Sequence, residues 1–179
     1  MSAVLKRIIF VLAIVTALLF FSLIGAAWYL GAFDTVILSN MKTPLQYFVI
    51  MPEPGNYEQA LSDLQNLQDY VEQKSYSVKD PAIFLYNDPM LTPLPQVVTR
   101  AAYLLTDSCH IEPPYQLLTV SPRNVVIASI EANPAVAPYK TYPAIREWCQ
   151  RYHLDADTTG IIIEYYQSDG QVVVEFPLF

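Results

Sequence analysis

The chain has 179 residues, of which 53% are hydrophobic, and its formal net charge is −7. From Pro44 onward, 7 basic residues stand against 16 acidic ones, so this part alone carries a charge of about −9. An acidic surface without a basic stripe repels phosphate backbones, and no helix-turn-helix pattern precedes it, so we expect no nucleic-acid partner.

The first predicted element is a membrane helix over residues 8–33, which contain no charged side chain and follow Lys6 and Arg7 directly. As a helix this run would be about 39 Å long, enough to cross a hydrocarbon core of about 30 Å. A cleaved signal peptide is the alternative, but its apolar region normally has only about 7 to 15 residues. We therefore predict a retained signal anchor whose partner is the lipid bilayer.

The basic pair also predicts the orientation of the chain, because Lys and Arg beside a membrane span tend to stay in the cytoplasm. Residues 1–7 are then cytoplasmic and the C-terminal part is not. The chain contains no Asn-x-Ser/Thr sequon, which favours a bacterial envelope. The prediction is a single-pass inner-membrane protein with its C-terminal domain in the periplasm.

After a linker over residues 34–43, residues 44–179 have the size of one domain and repeat one pattern twice. The first copy has a strand at 47–51, a helix at 57–73, and strands at 82–87 and 97–105. The second copy has a strand at 124–131, a helix at 141–152 with Pro143 in its first turn, and strands at 161–167 and 171–176. Such units predict an α+β fold, an antiparallel sheet with both helices on one face.

The two cysteines, Cys109 and Cys149, can be read as a disulfide or as two separate buried thiols. No C-x-x-C motif and no His or Cys cluster at metal spacing occurs in the sequence. We therefore predict no metal site and no cofactor.

A candidate binding face follows from the alternation of side chains along the strands. In the first copy, Ile83 and Leu85 point to one face of their strand, and Phe84 and Tyr86 point to the other face. In the second copy, one face of the strand carries Ile161, Ile163 and Tyr165, and the other face carries Ile162, Glu164 and Tyr166. If the helices cover the face of Ile and Leu, the uncovered face carries Phe84, Tyr86, Glu164 and Tyr166. Aromatic rings around one carboxylate suit an amphipathic organic cation, although Tyr and Phe are also common in ordinary strands.

Several segments resemble the recurring signatures of GyrI-like small-molecule-binding domains, which share a duplicated fold with SOUL-type proteins. They are Gly55-Asn56-Tyr57, residues 82–89, Tyr142 to Trp148, residues 163–166 and residues 175–178. The single N-terminal membrane helix is similar in arrangement to that of testis-expressed ER-phagy receptors, although only the architecture is carried over. The resemblance implies a cleft at a pseudo-twofold axis that binds drugs, dyes or a gyrase surface.

In this resemblance the family glutamate corresponds to Glu164. A second acidic position falls on Val173, and Glu175, which points to the same face as Val173, is its candidate replacement. The predicted ligand-binding residues are Glu164, Tyr166, Tyr86, Phe84, Glu175 and Trp148.

We therefore expect a membrane-anchored, non-catalytic binding module for a small hydrophobic or cationic molecule. The alternative is an envelope scaffold or adaptor that binds another membrane or periplasmic protein. A few relatives of this fold are hydrolases, but the sequence has no G-x-S-x-G or H-E-x-x-H motif. His110 and His153 have no obvious nucleophile and carboxylate beside them, so catalysis is not expected.

Overall fold

A computed structural model describes residues 3–179, with the side chains of Arg7 and of residues 9–179. Residues 1 and 2, part of the predicted cytoplasmic segment, lie outside the described residues. The elements, in chain order, are α1 (Ala3–Tyr29), β1 (Ile37–Lys42), β2 (Gln46–Ile50), α2 (Tyr57–Gln73), β3 (Val78–Leu85), β4 (Thr99–Leu105), β5 (Gln116–Val120), β6 (Asn124–Glu131), α3 (Ala137–Tyr152), β7 (Ile162–Tyr166) and β8 (Gln171–Pro177). A short 3-10 turn, Leu94–Gln96, lies between β3 and β4.

The eight strands form one antiparallel sheet in the order β1-β6-β8-β7-β3-β4-β2-β5. The predicted α+β fold is thus confirmed, and β3 and β7 meet at its centre. The segment predicted as a linker differs, because its residues 37–42 form the edge strand β1 beside β6. β5 lies in the same way at the other edge, beside β2. Each copy therefore has one more strand than predicted, and this additional strand pairs with a strand of the other copy.

Helix α2 begins where the side chain of Asn56 accepts a hydrogen bond from the backbone N–H of Gln59 at 2.9 Å. Its stripe at helical spacing faces the sheet, with Ala60, Leu67 and Val71 almost completely buried. Helix α3 buries Ile145 and Cys149 against the same face of the sheet. Both helices therefore cover one face, as the sequence predicts.

Helix α3 begins at Ala137, four residues before the predicted start, so Pro143 lies inside the helix and not in its first turn. Asn133 explains the earlier start, because its side chain accepts a hydrogen bond from the N–H of Ala135 at 2.9 Å. Its carbonyl oxygen also accepts one from the N–H of Ala137 at 3.0 Å. Pro143 has no N–H, so the carbonyl of Tyr139 has no helical donor at this point.

The face of the sheet without helices is concave and filled by its own side chains. Phe48 on β2 packs edge-on against Phe84 on β3, with ring centroids 4.8 Å apart. The side-chain amide of Gln46 donates to the hydroxyl of Tyr165 at 2.9 Å, although β4 and β3 lie between their strands. Three strand spacings amount to about 14 Å, so the sheet must curl to bring these groups together.

Cys109 and Cys149 are free thiols in different core clusters, which agrees with the reading of two separate thiols, but only Cys149 is buried and Cys109 is half-buried. Burial raises the pKa of both thiols.

Helix α1 stands apart from the packed core but is joined closely to it at its C-terminal end. Its segment Ile9–Tyr29 is long and apolar enough to cross a membrane, with a mean hydropathy of 2.7 and no part buried in the protein. A signal sequence would have the same properties. Just beyond the helix, Gly31 has a φ of +74° and is buried, and a Cβ there would lie 2.5 Å from the carbonyl oxygen of Glu131. Only glycine fits this junction.

Candidate functional site

The register at the centre of the sheet decides which side chains share a face. Ile83 lies directly opposite Glu164, and Phe84 lies directly opposite Ile163. Directly opposed residues in an antiparallel pair point to the same side. Glu164 therefore lies with Ile83 on the helix-covered face, and Phe84 lies on the concave face.

The prediction that Phe84, Tyr86, Glu164 and Tyr166 line one uncovered face is therefore wrong. Matching Tyr86 with Tyr166 sets the two copies an even number of residues, 80, apart. Residues that pair between the antiparallel strands β3 and β7 are always an odd number apart, 81 for Ile83 and Glu164 and 79 for Phe84 and Ile163. An offset that differs by one residue moves every side chain of a strand to the other face. The correction places Glu164 and Tyr166 beneath the helices.

Glu164 is completely buried, and three tyrosine hydroxyls lie within hydrogen-bonding distance of its carboxyl group. Tyr57, the first residue of α2, reaches Oε2 at 2.6 Å, and Tyr166 on β7 reaches the same oxygen at 2.6 Å. Tyr142 on α3 donates to Oε1. One residue from each helix and one from the central strand thus meet at the carboxyl group.

The hydrogens in this cluster can be counted. The oxygens of Tyr57 and Tyr166 are 2.7 Å apart, and each is 2.6 Å from Oε2, so the three atoms form a triangle of short contacts. Two hydroxyl protons can serve only two of its three sides. A proton on the Glu164 carboxyl would serve the third. The geometry therefore favours the neutral form of Glu164.

Burial acts in the same direction and raises the pKa of Glu164, while the hydrogen bonds from Tyr142, Tyr166 and Tyr57 lower it in part. Burial also raises the hydroxyl pKa of Tyr142 and of Tyr166 well above the ordinary value. Among residues 3–179, no Lys, Arg or His side chain that the structure describes forms an ion pair with Glu164. A buried carboxyl group without a cationic partner is rare in protein interiors.

Glu175 offers a direct contrast, because it is equally buried but has a cationic partner. Arg123 donates to its Oε1 from Nε at 3.0 Å and from Nη2 at 2.7 Å. Tyr165 donates to its Oε2 at 3.0 Å. Glu175 lies on the concave face, as its position opposite Ile163 requires, so it is not beside Glu164. Its charge is balanced within the protein.

Two adjoining clefts reach the tyrosines around Glu164 from the surface. One, of about 340 Å³, is lined by Tyr57, and the other, of about 410 Å³, by Tyr142. Both have walls from the first turn of α3, at Pro138 and Tyr139, and from Leu94 and Pro95. The 3-10 turn Leu94–Gln96 thus lies between the N-terminal ends of the two helices, and Leu94 packs on the core that contains Tyr142. We call this segment the plug.

The other predicted site residues lie elsewhere. Phe84 is completely buried on the concave face. Tyr86 is half-buried there, with the guanidinium of Arg100 lying 5.6 Å from its ring centroid, and burial raises its hydroxyl pKa. Trp148 donates from its indole nitrogen to Asn40 of β1 at 2.8 Å. These residues do not meet Glu164.

A wider groove of about 630 Å³ on the other side of the β3–β4 connection is lined by Asp88, Arg146 and Cys149, among others. None of the four residues of the Glu164 cluster lines this groove, so its larger volume does not make it the candidate site.

Sequence reasoning did not identify Tyr57 and Tyr142 as site residues. Both occur in segments that carry the resemblance to GyrI-like domains. Tyr57 is the first residue of α2, and Tyr142 is the second residue of the helix predicted at 141–152. The signal in the sequence was a tyrosine at the beginning of the predicted helix in each copy.

No sequence model of a known protein family matches the chain. No curated protein matches it by sequence either, so the likeness to ER-phagy receptors has no support from the comparisons.

Solved structures do match, at low identity. The C-terminal domain of EcmrR aligns with a TM-score of 0.64 and 11% identity over 80% of this chain and 98% of that one. SAV2435 bound to tetraphenylphosphonium aligns with a TM-score of 0.54 and 11% identity over 80% and 94%. A hydrolase from Listeria innocua aligns with a TM-score of 0.54 and 13% identity over 79% and 91%. The chain from β1 to β8 therefore has the fold of these proteins, which is consistent with the predicted GyrI-like architecture.

Proposed function

We propose that this protein is a membrane-anchored, non-catalytic binding module that takes up a small hydrophobic cation above Glu164. The observation that carries the proposal is the fully buried Glu164 carboxyl, which three tyrosines contact and no described cationic side chain neutralises. A ligand that brings a diffuse positive charge and apolar groups would satisfy the carboxylate and the aromatic walls together.

The size of the clefts supports this ligand class, as does the lining of the smaller one, which has no basic residue, whereas Arg146 lines the larger one. Their volumes of about 340 and 410 Å³ fall at the lower end of the range for small-molecule sites, about 300 to 1,000 Å³. The plug residues Leu94 and Pro95 border both clefts, so a ligand that displaced them would join the clefts above the tyrosines. SAV2435, which has the same fold, was solved with tetraphenylphosphonium, a lipophilic cation.

The carboxyl group is suited to bind a cation reversibly. In the empty site the neutral form needs no counter-ion, and its proton fills the tyrosine triangle. When a cation enters, the ionised form becomes favourable and the proton leaves. Binding of the cation and release of the proton are therefore coupled.

Tetraphenylphosphonium binding to the full chain in detergent micelles, measured by calorimetry, tests the proposal. We expect Glu164→Gln to weaken binding by about tenfold or more, equivalent to about 1.4 kcal/mol. Glu147→Gln is the matched control, because it makes the same change on α3 at a side chain that is 70% exposed. Equal affinities for wild type and Glu164→Gln would remove Glu164 from the binding site.

We further propose that α1 is the membrane anchor and that the domain lies on the non-cytoplasmic side, in the bacterial periplasm. Lys6 and Arg7 before the apolar run support this orientation. Protease added to spheroplasts should digest the domain, while protease added outside inverted vesicles, which enclose the periplasmic face, should not. The opposite pattern would reverse the orientation.

The second candidate function is an envelope scaffold, and the filled concave face favours it. Phe48, Phe84 and Tyr165 pack together on that face, and Phe48 and Phe84 are completely buried. Crosslinking in intact membranes would distinguish the two functions. Recovery of one stoichiometric protein partner, together with no change of tetraphenylphosphonium affinity in Glu164→Gln, would favour the scaffold.

A further inference from the structure

The ligand cleft and the end of the apolar helix lie at the same edge of the domain. The backbone N–H of Asn133 donates to the backbone carbonyl of Leu30 at 3.1 Å, and Leu30 is the first residue after α1. Lys140 on α3 donates to the carbonyl of Ala32 at 2.7 Å. The loop between β6 and α3 and the start of α3 are thus fixed against the residues that follow the helix.

A continuous surface connects this junction to the cleft. A hollow of about 620 Å³ beside Trp28 and Tyr29 is bordered by Pro134. Pro134 also borders the 340 Å³ cleft that leads to Tyr57. Pro134 therefore borders both the hollow at the end of α1 and the cleft that leads to Tyr57.

Membrane dimensions place this opening at the bilayer surface when α1 spans the membrane. Trp28 and Tyr29, 75% and 88% exposed, are the kind of residues that occupy the headgroup layer, which is roughly 5 to 8 Å thick on each side. The hydrogen bond from Asn133 to Leu30 sets the loop at that level. Tyr139, two residues after the start of α3 and 73% exposed, lies only about 3 Å along the helix axis from that start.

The chemistry of the opening suits a molecule that dissolves in the membrane. Its walls are formed by Leu61, Leu94, Pro134, Pro138 and Tyr139, with Tyr57 at the inner end. Among the described residues that line this cleft, Glu58 is the only charged one. The entrance therefore combines apolar contacts with a single negative charge and offers no repulsion to a cation.

We propose that the ligand is a membrane-dissolved cationic amphiphile and that it enters the cleft laterally from the headgroup layer of the bilayer. The proposal rests on the proposed function, since it names the ligand class and the entry route of the same site. The junction at Gly31 serves this route by fixing the opening against the membrane surface. An amphiphile would place its cationic group at Glu164 and leave its chain along the apolar entrance.

The test uses the full chain in lipid nanodiscs with a probe confined to the bilayer, a triphenylphosphonium group on an 18-carbon chain that carries a photoreactive diazirine beside the phosphorus. After illumination, mass spectrometry locates the labelled residues. We expect labels on residues 94–95 and 134–139 in the wild type, and at least about a tenfold loss of them in Glu164→Gln.

Gly31→Val tests the fixed junction, because any side chain there meets Glu131 and Ala132 and also needs the unfavourable positive φ. We expect cleft labelling to fall about fivefold or more, since the opening is no longer held at the bilayer. Gly25→Val is the matched control, because a Cβ at Gly25 meets nothing within 4 Å. Lys140→Gln, which removes the hydrogen bonds to Ala32 and Asp34, serves as a second, milder disruption.

Soluble tetraphenylphosphonium separates failure of this proposal from failure of the proposed function. If it binds in detergent in a Glu164-dependent manner while the confined probe leaves the cleft unlabelled, lateral entry is refuted and the binding function stands. If it binds neither variant, the binding function itself fails. Cleft labelling that Gly31→Val leaves unchanged would refute the role of the junction.

Discussion

The same substitution should destabilise the protein strongly at Glu175 and only slightly at Glu164. Glu175→Gln removes the charge that balances Arg123, whose side chain is only 18% exposed. Breaking a buried ion pair from one side costs about 3 to 5 kcal/mol. The residual exposure of Arg123 puts the expected loss near the lower limit, about 3 kcal/mol. For a domain of this size, that loss lowers Tm by roughly 10 °C.

Glu164→Gln leaves no buried charge behind. The two N–H groups of the amide can donate to Tyr57 and Tyr166, and a tyrosine hydroxyl serves the third side of the triangle. At neutral pH we expect a change in the free energy of unfolding within about 1 kcal/mol of zero. The difference between the two variants, about 2 kcal/mol or more, is the quantity to measure.

The pH dependence gives the sign of the effect. Since burial raises the pKa of Glu164, the folded state binds the proton more tightly than the unfolded state. This stabilisation is complete below the ordinary carboxyl pKa and is lost as pH rises through the raised value. Gln has no carboxyl group to titrate, so the Glu164→Gln variant does not lose stability in this way. Its free energy of unfolding relative to that of the wild type should therefore increase from pH 4 to pH 8.

The assay is urea unfolding of the full chain in detergent micelles, followed by circular dichroism at several pH values. Glu147→Gln again controls for an exposed carboxylate. If Glu164→Gln destabilises the protein as much as Glu175→Gln and does so more strongly at pH 8 than at pH 4, Glu164 is an ionised structural residue. The argument from the tyrosine triangle would then be refuted.

Three further predictions concern the ligand. Tetraphenylphosphonium affinity, followed by calorimetry, should rise with pH by up to about tenfold per unit until the raised pKa of Glu164 is passed, and a flat profile would contradict proton release. Tyr142→Phe removes a hydrogen bond that lowers the pKa of Glu164, so the same profile should shift to higher pH, whereas Tyr152→Phe, at a side chain 51% exposed, should leave it in place. Leu94→Ala shortens the plug and should speed tetraphenylphosphonium association in stopped-flow measurements, by about tenfold if its apolar contacts contribute about 1.4 kcal/mol to the closed state. Leu91→Ala, in the same loop but 74% exposed, should not, and equal rates would show that the plug does not limit entry.

The repeated pattern of the sequence predicts most of the fold because hydrophobic periodicity reports burial directly. The stripe of Ala60, Leu67 and Val71 places α2, and the central strands follow from their apolar runs. The edge strand β1 could not be found in this way, since most of its residues are exposed. Its place depends on pairing with β6, more than 80 residues away in sequence.

The grouping of residues at the candidate site could be predicted only in part, for a related reason. The sequence identifies Glu164 and Tyr166, and it separates the two faces of each strand correctly. It does not determine which faces of two different strands coincide, because that depends on a one-residue choice of register. The pairing of β3 with β7, in which Ile83 lies opposite Glu164, fixes that choice only in the folded sheet.

The corrected register changes the physical role of the carboxyl group. On an open sheet face, Glu164 would be solvated, keep an ordinary pKa and attract any cation weakly. Beneath the two helices it has lost its hydration and is surrounded by three tyrosine hydroxyls in place of a counter-ion. The free energy of that desolvation is recovered only when a positive charge arrives without its own water. A hydrophobic cation meets this condition, because its charge is diffuse and its hydration is weak, whereas Na⁺ or a protonated amine would have to be dehydrated first. The burial that hides Glu164 from solvent is thus also what would make it selective for an apolar cation.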